Sequence, residues 1–355
     1  MKTIFDRLIS GGLGGTAQGM FVTLIIGTVA EQLGGMLSGV FGGPFGHMVV
    51  LLGQVLTSLT GAGIGIAIAR KLEAQHLVTV SAGIVGMIGA QAEGILSGSL
   101  FADGGILIAG PGEPLAAFAA VYVAVELGTL IAGKTKLDPI LVPLLCIGAG
   151  SVVGLFAGPY IGRFSSWLGW LVGWCAGQHP FLMGVTVALL ACLLSTLPFG
   201  ALMIFSAVGL NGAAAGAAAV GCCCSMVGFA AAGYRENGIS GLIVQGLGTS
   251  MVQTPNIIRR PVIWLPELLS AAILGPLSTL VFGMTGNALG AAMGTAGLIG
   301  PLTTWQIMTG SEQDGIVLAK IVLIQFILPA VLSLLISGFM MKRRWIRSGD
   351  MKLQG

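Results

Sequence analysis

The chain has 355 residues, of which 55% are hydrophobic and only 8% are charged, and its mean hydropathy is +0.97. About a quarter of the residues in a soluble globular protein are charged, so the composition excludes that class. The net charge of +3 provides no surface for nucleic acid. The long apolar runs lack the alternation of membrane strands, which excludes an outer-membrane barrel. We therefore predict an all-α, polytopic membrane protein.

Apolar runs divide the chain into about ten predicted membrane spans, since roughly 20 apolar residues are needed to cross a bilayer. The first span carries Gly11, Gly15 and Gly19 at every fourth position, a stripe typical of closely packed membrane helices. The predicted spans of the N-terminal half, residues 1–162, are 11–30, 44–69, 77–98, 115–133 and 139–161. Residues 163–180 contain three tryptophans at helical spacing, which predicts an interfacial linker helix.

The C-terminal half, residues 181–341, is predicted to contain the remaining spans and a re-entrant hairpin. The hairpin is assigned to residues 286–302, which are too short and too rich in glycine for a span. The predicted spans are 181–209, 212–232, 239–258, 262–283 and 316–341. Residues 342–355 form a basic tail. Basic residues follow the even-numbered spans, so the positive-inside rule predicts that both termini are cytoplasmic.

The most polar stretch between apolar runs is residues 245–261, QGLGTSMVQTPNIIRRP, here called the polar segment. An unpaired amide in lipid costs several kcal/mol, so such a segment must be buried in protein or line a wet cavity. We predict that it forms one wall of a solute site, although pairing with neighbouring helices is the alternative. The predicted solute-binding side chains of this segment are Gln245, Thr249, Gln253, Thr254 and Asn256.

Outside the polar segment, Glu267 is the strongest candidate for a solute-binding residue, because an acidic side chain within a membrane span is energetically costly and usually functional. The alternative is that Glu267 pairs with Arg259 or Arg260, which themselves could bind an anion or simply anchor the chain. Asn287 and Thr295, in the predicted hairpin, are weaker candidates for solute binding. The scattered histidines and the Cys222–Cys224 run have no metal-ligand spacing, so neither a metal nor a cofactor is predicted.

Three stretches carry a resemblance to a known family: QTPNIIRRP, IWLPELLSAAILGPLSTLVFGM and GAAMGTAGLIG. With these stretches the chain resembles membrane proteins related to the enzyme IIC subunits of the bacterial phosphotransferase system, in the branch of toxin regulators. The resemblance covers most of the chain and is strongest over residues 240–302.

This resemblance implies a homodimer in the bacterial inner membrane. Residues 1–162 would be the scaffold and dimerisation half, and residues 181–341 would hold the sugar and carry it by an elevator movement. Enzyme IIC proteins typically use a His and a Glu at the sugar. Here no histidine follows His179, and Glu267 is the residue that could take the acid's role. Phosphorylation would need separate partner chains, since no polar stretch approaches the roughly 100 residues of a soluble domain.

The sequence therefore predicts a transporter of a small polar solute, a sugar or sugar derivative. The alternative from another class is a membrane-embedded sensor that binds the same solute without moving it. An enzyme would need a nucleophile–base pair or a metal cluster, and the sequence contains neither pattern.

Overall fold

We describe the fold from a computed structural model, which describes residues 4–41, 44–102, 104–108, 110–134, 136–310 and 312–353. The chain divides into two compact units. The N-terminal unit comprises Met1–Ser165 with Pro198–Gly200, and the C-terminal unit comprises Ser166–Leu197 with Ala201–Gly355. Whether the predicted halves have the predicted roles stays a prediction.

The N-terminal unit begins with a continuous helix, α1, over residues 4–41, which contains π-helical turns at Arg7–Leu13 and Phe21–Ile25. A short antiparallel pair of strands, β1 and β2, interrupts the later helices. The remaining elements are α2 Pro44–Ser58, α3 Thr60–Lys71, α4 His76–Ala90, α5 Ala92–Ser97, β1 Phe101–Ala102, β2 Gly105–Ile106, α6 Pro114–Ile131 and α7 Asp138–Ala176.

Helix α7 joins two elements that the sequence analysis separates. The predicted fifth span, 139–161, and the predicted linker helix, 163–180, lie largely in this one helix of 39 residues. Glycine lowers helix stability by only about 1 kcal/mol, so Gly162 does not end the helix. The tryptophans at 167, 170 and 174 are all at least half exposed, so they form an outward stripe along α7 rather than a separate helix.

The fold class predicted from composition is confirmed, since the described residues form an all-α protein with several apolar helices. By length and composition, six described helices can cross a membrane, or seven if α2 and α3, bent by 53°, count as one broken span. The sequence predicts about ten spans. The two span counts differ because some predicted spans form helices too short to be counted, such as α4 and Pro180–Thr196. The predicted span 239–258 is broken and is not counted either.

The predicted close-packing stripe of α1 lies against α3, a partner that the sequence does not indicate. A Cβ atom at Gly15 would lie 2.6 Å from the Cα atom of Ile68, and one at Gly19 would lie 2.5 Å from that of Ile64. Because the contact is with backbone atoms, only glycine allows this approach. The close packing therefore explains why α1 and α3 need small residues at these positions.

The C-terminal unit is built around one helix, α10, which is composed mostly of alanine, glycine and cysteine. This helix is mostly buried, and it packs chiefly against Pro180–Thr196, Leu265–Leu280 and Leu328–Lys342. The helices of this unit are α8 Pro180–Thr196, α9 Ala201–Ala207, α10 Gly212–Ala232, α11 Tyr234–Ile243, α12 Thr254–Arg259, α13 Leu265–Leu280, α14 Ala288–Met293, α15 Ile299–Met308 and α16 over residues 314–342.

The predicted hairpin, residues 286–302, is a pair of short helices, α14 and α15. Strand β3, Gly286–Asn287, precedes them and forms antiparallel bridges with Asn211 and Gly212. The turn between the helices contains Gly294, Gly297 and Leu298 in left-handed conformations. Gly294 and Gly297 adopt such conformations without strain, whereas Leu298 adopts its φ of 62° at a steric cost.

We predict that Gly15→Ala destabilises the protein by roughly 1–3 kcal/mol, because the added methyl group overpacks the α1–α3 contact. Gly35→Ala is the matched control, since Gly35 lies in the same helix and nothing is within 4 Å of its Cβ position. Thermal unfolding in detergent, followed by tryptophan fluorescence, measures both variants. Equal unfolding temperatures for the two variants would contradict the proposed packing.

Glu113 lies in the loop before α6, where its Oε2 atom accepts a hydrogen bond of 3.0 Å from Ser165 Oγ. Its Oε1 atom is buried and has no hydrogen-bond partner among the described residues. Burial, with a smaller contribution from the charge of Glu93, raises the pKa of Glu113 from 4.5 to about 7. The folded protein therefore binds a proton here that the unfolded chain releases.

We predict that the Glu113 carboxyl group lowers the free energy of unfolding as pH rises from about 4.5 to about 7. Above that range it causes no further change. Glu113→Gln should flatten this part of the pH profile and stabilise the protein at pH 8, by up to about 3 kcal/mol. Glu73→Gln, in the exposed loop after α3, is the control. An unchanged pH profile in Glu113→Gln, measured by thermal unfolding, would refute the prediction.

Candidate functional site

The polar segment is not a regular helix. It runs from a π-helical turn, Val244–Gly248, through an extended Thr249 and a 3-10 turn, Ser250–Gln253, into α12. Gly246 and Gly248 weaken helical structure here, and Pro255 is tolerated because it lies in the first turn of α12. The Oγ1 atom of Thr249 accepts a hydrogen bond from the backbone N–H of Met251, which caps the 3-10 turn. The predicted broken helix is therefore present.

Three of the predicted side chains form a chain of buried amides. The Nε2 atom of Gln253 donates to Oε1 of Gln245 over 2.8 Å, and Nδ2 of Asn256 donates to Oε1 of Gln253 over 2.7 Å. The Nε2 atom of Gln245 in turn donates to the backbone carbonyl of Gly241. Gln245 and Gln253 are fully buried and Asn256 is 7% exposed. Hydrogen bonds thus link the three amide side chains to one another.

Gln253 and Asn256 also donate hydrogen bonds to residues near the C-terminal end of the chain. Gln253 Nε2 donates to the carbonyl of Met351 over 2.9 Å, and Asn256 Nδ2 donates to that of Lys352 over 3.0 Å. We call residues 349–353 the docked tail. The Met351 side chain is 1% exposed and packs with Phe229 and Ile257, among others. Polar and apolar contacts together therefore hold the docked tail against the polar segment.

Two further residues hold the docked tail, and the sequence analysis did not identify them. The carboxylate of Glu236 accepts hydrogen bonds from the backbone N–H groups of Gly349 and Met351. Asn237 donates to the Met351 carbonyl and accepts from the Leu353 N–H group. The available signal was the polar triplet at 235–237, which ends a long stretch without charged residues.

Buried hydroxyl groups form a second polar cluster in the C-terminal unit, between α8, α10 and the polar segment. Ser225 Oγ lies 2.5 Å from Ser195 Oγ and 3.3 Å from Ser250 Oγ. Ser250 also donates to the Ser195 carbonyl over 3.1 Å, and the predicted Thr254 donates to the Thr196 carbonyl. Hydroxyl groups therefore satisfy the carbonyl groups that are left free where α8 ends.

The turn of the α14–α15 hairpin contacts the polar segment. The Thr295 Oγ1 atom donates to the Gly246 carbonyl over 2.6 Å, and Thr295 is fully buried. Asn287, the other predicted hairpin residue, accepts from the Gly290 N–H group and caps α14. The structure thus brings Thr295 to the polar segment, whereas Asn287 has a local structural contact.

Glu267 lies in the first turn of α13 and is fully buried. Neither of its carboxylate oxygens has a hydrogen-bond partner among the described residues. The sequence left open a pairing of Glu267 with Arg259 or Arg260, and the structure shows no hydrogen bond from either described arginine to this carboxylate. A Cβ atom on Gly228 would lie 3.1 Å from Glu267 Cγ, and Gly228 is one turn of α10 beyond Ser225. This places the unpaired acid close to the hydroxyl cluster.

A pocket of about 490 Å³ opens between α12 and the docked tail. It is lined by Asn256, Arg259, Arg260, Gly349, Asp350, Lys352 and Leu353. Arg260 Nε lies 3.8 Å from Asp350 Oδ1 across it. Of the predicted solute-binding residues, Asn256 lines this pocket.

We predict that Gln253→Ala combined with Asn256→Ala releases the docked tail. Each lost hydrogen bond weakens docking by about 1 kcal/mol, so trypsin should cleave after Arg347 roughly tenfold faster or more. Mass spectrometry of the released peptide measures the rate. Gln178→Ala is the control, since among the described residues the Gln178 amide donates to the nearby Trp174 carbonyl and has no contact with the docked tail. Cleavage at the control rate would contradict the assigned contacts.

Comparison with family models gives one result that covers nearly the whole chain. The model of the phosphotransferase system EIIC family matches residues 11–353. A comparison with curated proteins finds no match. The matched region contains the polar segment, the α14–α15 hairpin and Glu267, and it confirms the family resemblance seen in the sequence. The chain therefore belongs to the phosphotransferase system EIIC family and is a multi-pass membrane component of sugar transport.

Proposed function

We propose that this chain is a permease that carries a sugar or sugar derivative across the bacterial inner membrane. One observation carries the proposal: two breaks in helical structure meet inside the C-terminal unit, where Thr295 in the hairpin turn donates to the Gly246 carbonyl. Irregular backbone at membrane depth is tolerated where it is enclosed by protein or lines a cavity for solute. In several transporter folds, such broken helices form the substrate site.

In this proposal the solute binds between the polar segment and the hairpin turn. The hydroxyl groups of Thr249, Thr254 and Thr295 bind to groups of the chain itself, and a sugar hydroxyl can replace those partners. Neither carboxylate oxygen of Glu267 has a partner among the described residues, so in this proposal Glu267 accepts hydrogen bonds from the sugar or binds a coupled proton. The other candidate residues, Gln245, Gln253, Asn256 and Asn287, supply amides to the same solute.

Alternating access follows, in this proposal, from an elevator movement of residues 181–341 against residues 1–162. The buried small-residue packing of α10 supports movement of the C-terminal unit as one body, because close backbone contacts resist internal rearrangement. The functional unit is a homodimer with cytoplasmic termini. Any phosphorylation of the solute requires separate phosphotransferase subunits that deliver the phosphoryl group, and the chain itself acts as a transport subunit rather than an enzyme.

The docked tail favours a second candidate function, a solute sensor. Gln253 and Asn256 use their donors on Met351 and Lys352, so a solute that engages these amides competes with the tail. Release of the tail would then report solute binding to a cytoplasmic partner. Purified protein in proteoliposomes distinguishes the two functions: a permease moves labelled sugar, whereas a sensor is stabilised by the sugar without any flux.

We predict that Thr295→Val reduces sugar flux in proteoliposomes by about tenfold, because it removes the hydrogen bond between the two helix breaks. Thr309→Val is the matched control, since among the described residues the Thr309 hydroxyl donates to the Trp305 carbonyl in the last turn of α15. Flux is measured at a temperature at which both variants remain folded, because Thr295→Val leaves the buried Gly246 carbonyl without this donor and lowers the unfolding temperature. Normal flux in Thr295→Val would overturn the proposed site, and Glu267→Gln tests the acid in the same assay.

A further inference from the structure

We propose that the pocket between α12 and the docked tail binds a small phosphate-bearing anion, and that Asp350 competes with this anion for Arg260. The proposal concerns Arg260 and the docked tail and does not depend on transport, although Asn256, which is also proposed to bind the sugar, lines the same pocket.

The charge of the pocket favours a dianion. Three cations line it, Arg259, Arg260 and Lys352, and Asp350 is the one acid among the lining residues. The lining therefore carries a net charge of +2 (three positive charges and one negative). A phosphate monoester carries about −1.5 to −2 at pH 7, which matches this charge. Guanidinium groups bind phosphate through two parallel hydrogen bonds, which a point charge cannot do.

The size and walls of the pocket fit a small molecule. Its volume of about 490 Å³ lies within the usual range for small-molecule sites, roughly 300–1,000 Å³. One wall is the backbone at Gly349, which has no side chain, and nothing lies within 4 Å of its Cβ position. A ligand can therefore approach the backbone of the docked tail as well as the arginines.

Asp350 lies where its carboxylate would compete with a bound anion for Arg260. Its Oδ1 atom lies 3.8 Å from Arg260 Nε, longer than a good charge-assisted hydrogen bond, while its Oδ2 atom accepts from the Arg347 N–H group. The Asp350 side chain is 13% exposed, whereas that of Arg260 is 49% exposed and accessible to a ligand. A phosphate group can thus replace a weak ion pair with a stronger one.

The site is coupled to the polar segment through the tail. Asp350 is followed directly by Met351 and Lys352, whose carbonyls bind Gln253 and Asn256. An anion that draws Arg260 away from Asp350 therefore acts on the residues that fix the docked tail.

The test measures the thermal stability of the full, detergent-purified chain as potassium phosphate is added, against potassium chloride of equal ionic strength. A ligand that binds the folded state raises the unfolding temperature saturably. Arg260→Gln should weaken phosphate binding roughly tenfold or more, because it removes a charge-assisted contact. Asp350→Asn should have the opposite effect and strengthen binding several-fold, a result that a merely structural role for Asp350 does not produce.

Arg343→Gln is the control, since Arg343 lies over the Phe339 ring and is not among the residues lining the pocket. Parallel measurements in nanodiscs of phosphatidylcholine, with and without phosphatidylglycerol, distinguish a lipid headgroup from a soluble ligand. An effect of Arg260→Gln confined to phosphatidylglycerol assigns the phosphate to lipid. Three results would overturn the proposal: no stabilisation beyond chloride in either medium, equal effects of Arg260→Gln and Arg343→Gln, or unchanged affinity in Asp350→Asn.

Discussion

A polar group that the apolar helices bring to membrane depth is costly unless it finds a partner within the protein, and this constraint organises most of the C-terminal unit. Where α8 ends, Ser250 and Thr254 donate to the free carbonyls of Ser195 and Thr196. Where the polar segment unwinds, Thr295 donates to Gly246. The break at the end of α8 is thus satisfied by side chains of the polar segment, and the break in the polar segment by a side chain of the hairpin turn.

The close packing of α10 makes these contacts possible. Gly221 lies against the backbone of α8, and Gly216 lies against the backbone at Met284. Without side chains at these positions, neighbouring helices approach until hydroxyl groups such as that of Ser225 reach their partners. The run of alanine, glycine and cysteine therefore serves packing, and the buried cysteines behave as small apolar residues.

The docked tail changes the interpretation of the most polar residues in the chain. The sequence predicts that Gln245, Gln253 and Asn256 bind solute, and their hydrogen bonds are made instead with one another and with Met351 and Lys352. The same amides cannot hold a solute and the tail together, because each donor of Gln253 and Asn256 is in use. Solute binding at these amides and tail docking are consequently alternatives.

The sequence by itself determined the membrane class through its composition and the family through three characteristic stretches. Glycine and proline act locally, so they also indicated the broken helix and the region of the hairpin. The helix count and the continuity of α7 were less predictable, since weak breakers such as Gly162 are overridden by the rest of a long helix. Only the tertiary structure decided the partners of the polar side chains. Gln253 meets Met351 across 98 positions of sequence, and Glu267 is left without a partner among the described residues. Such contacts depend on how distant segments pack, and no local pattern encodes them.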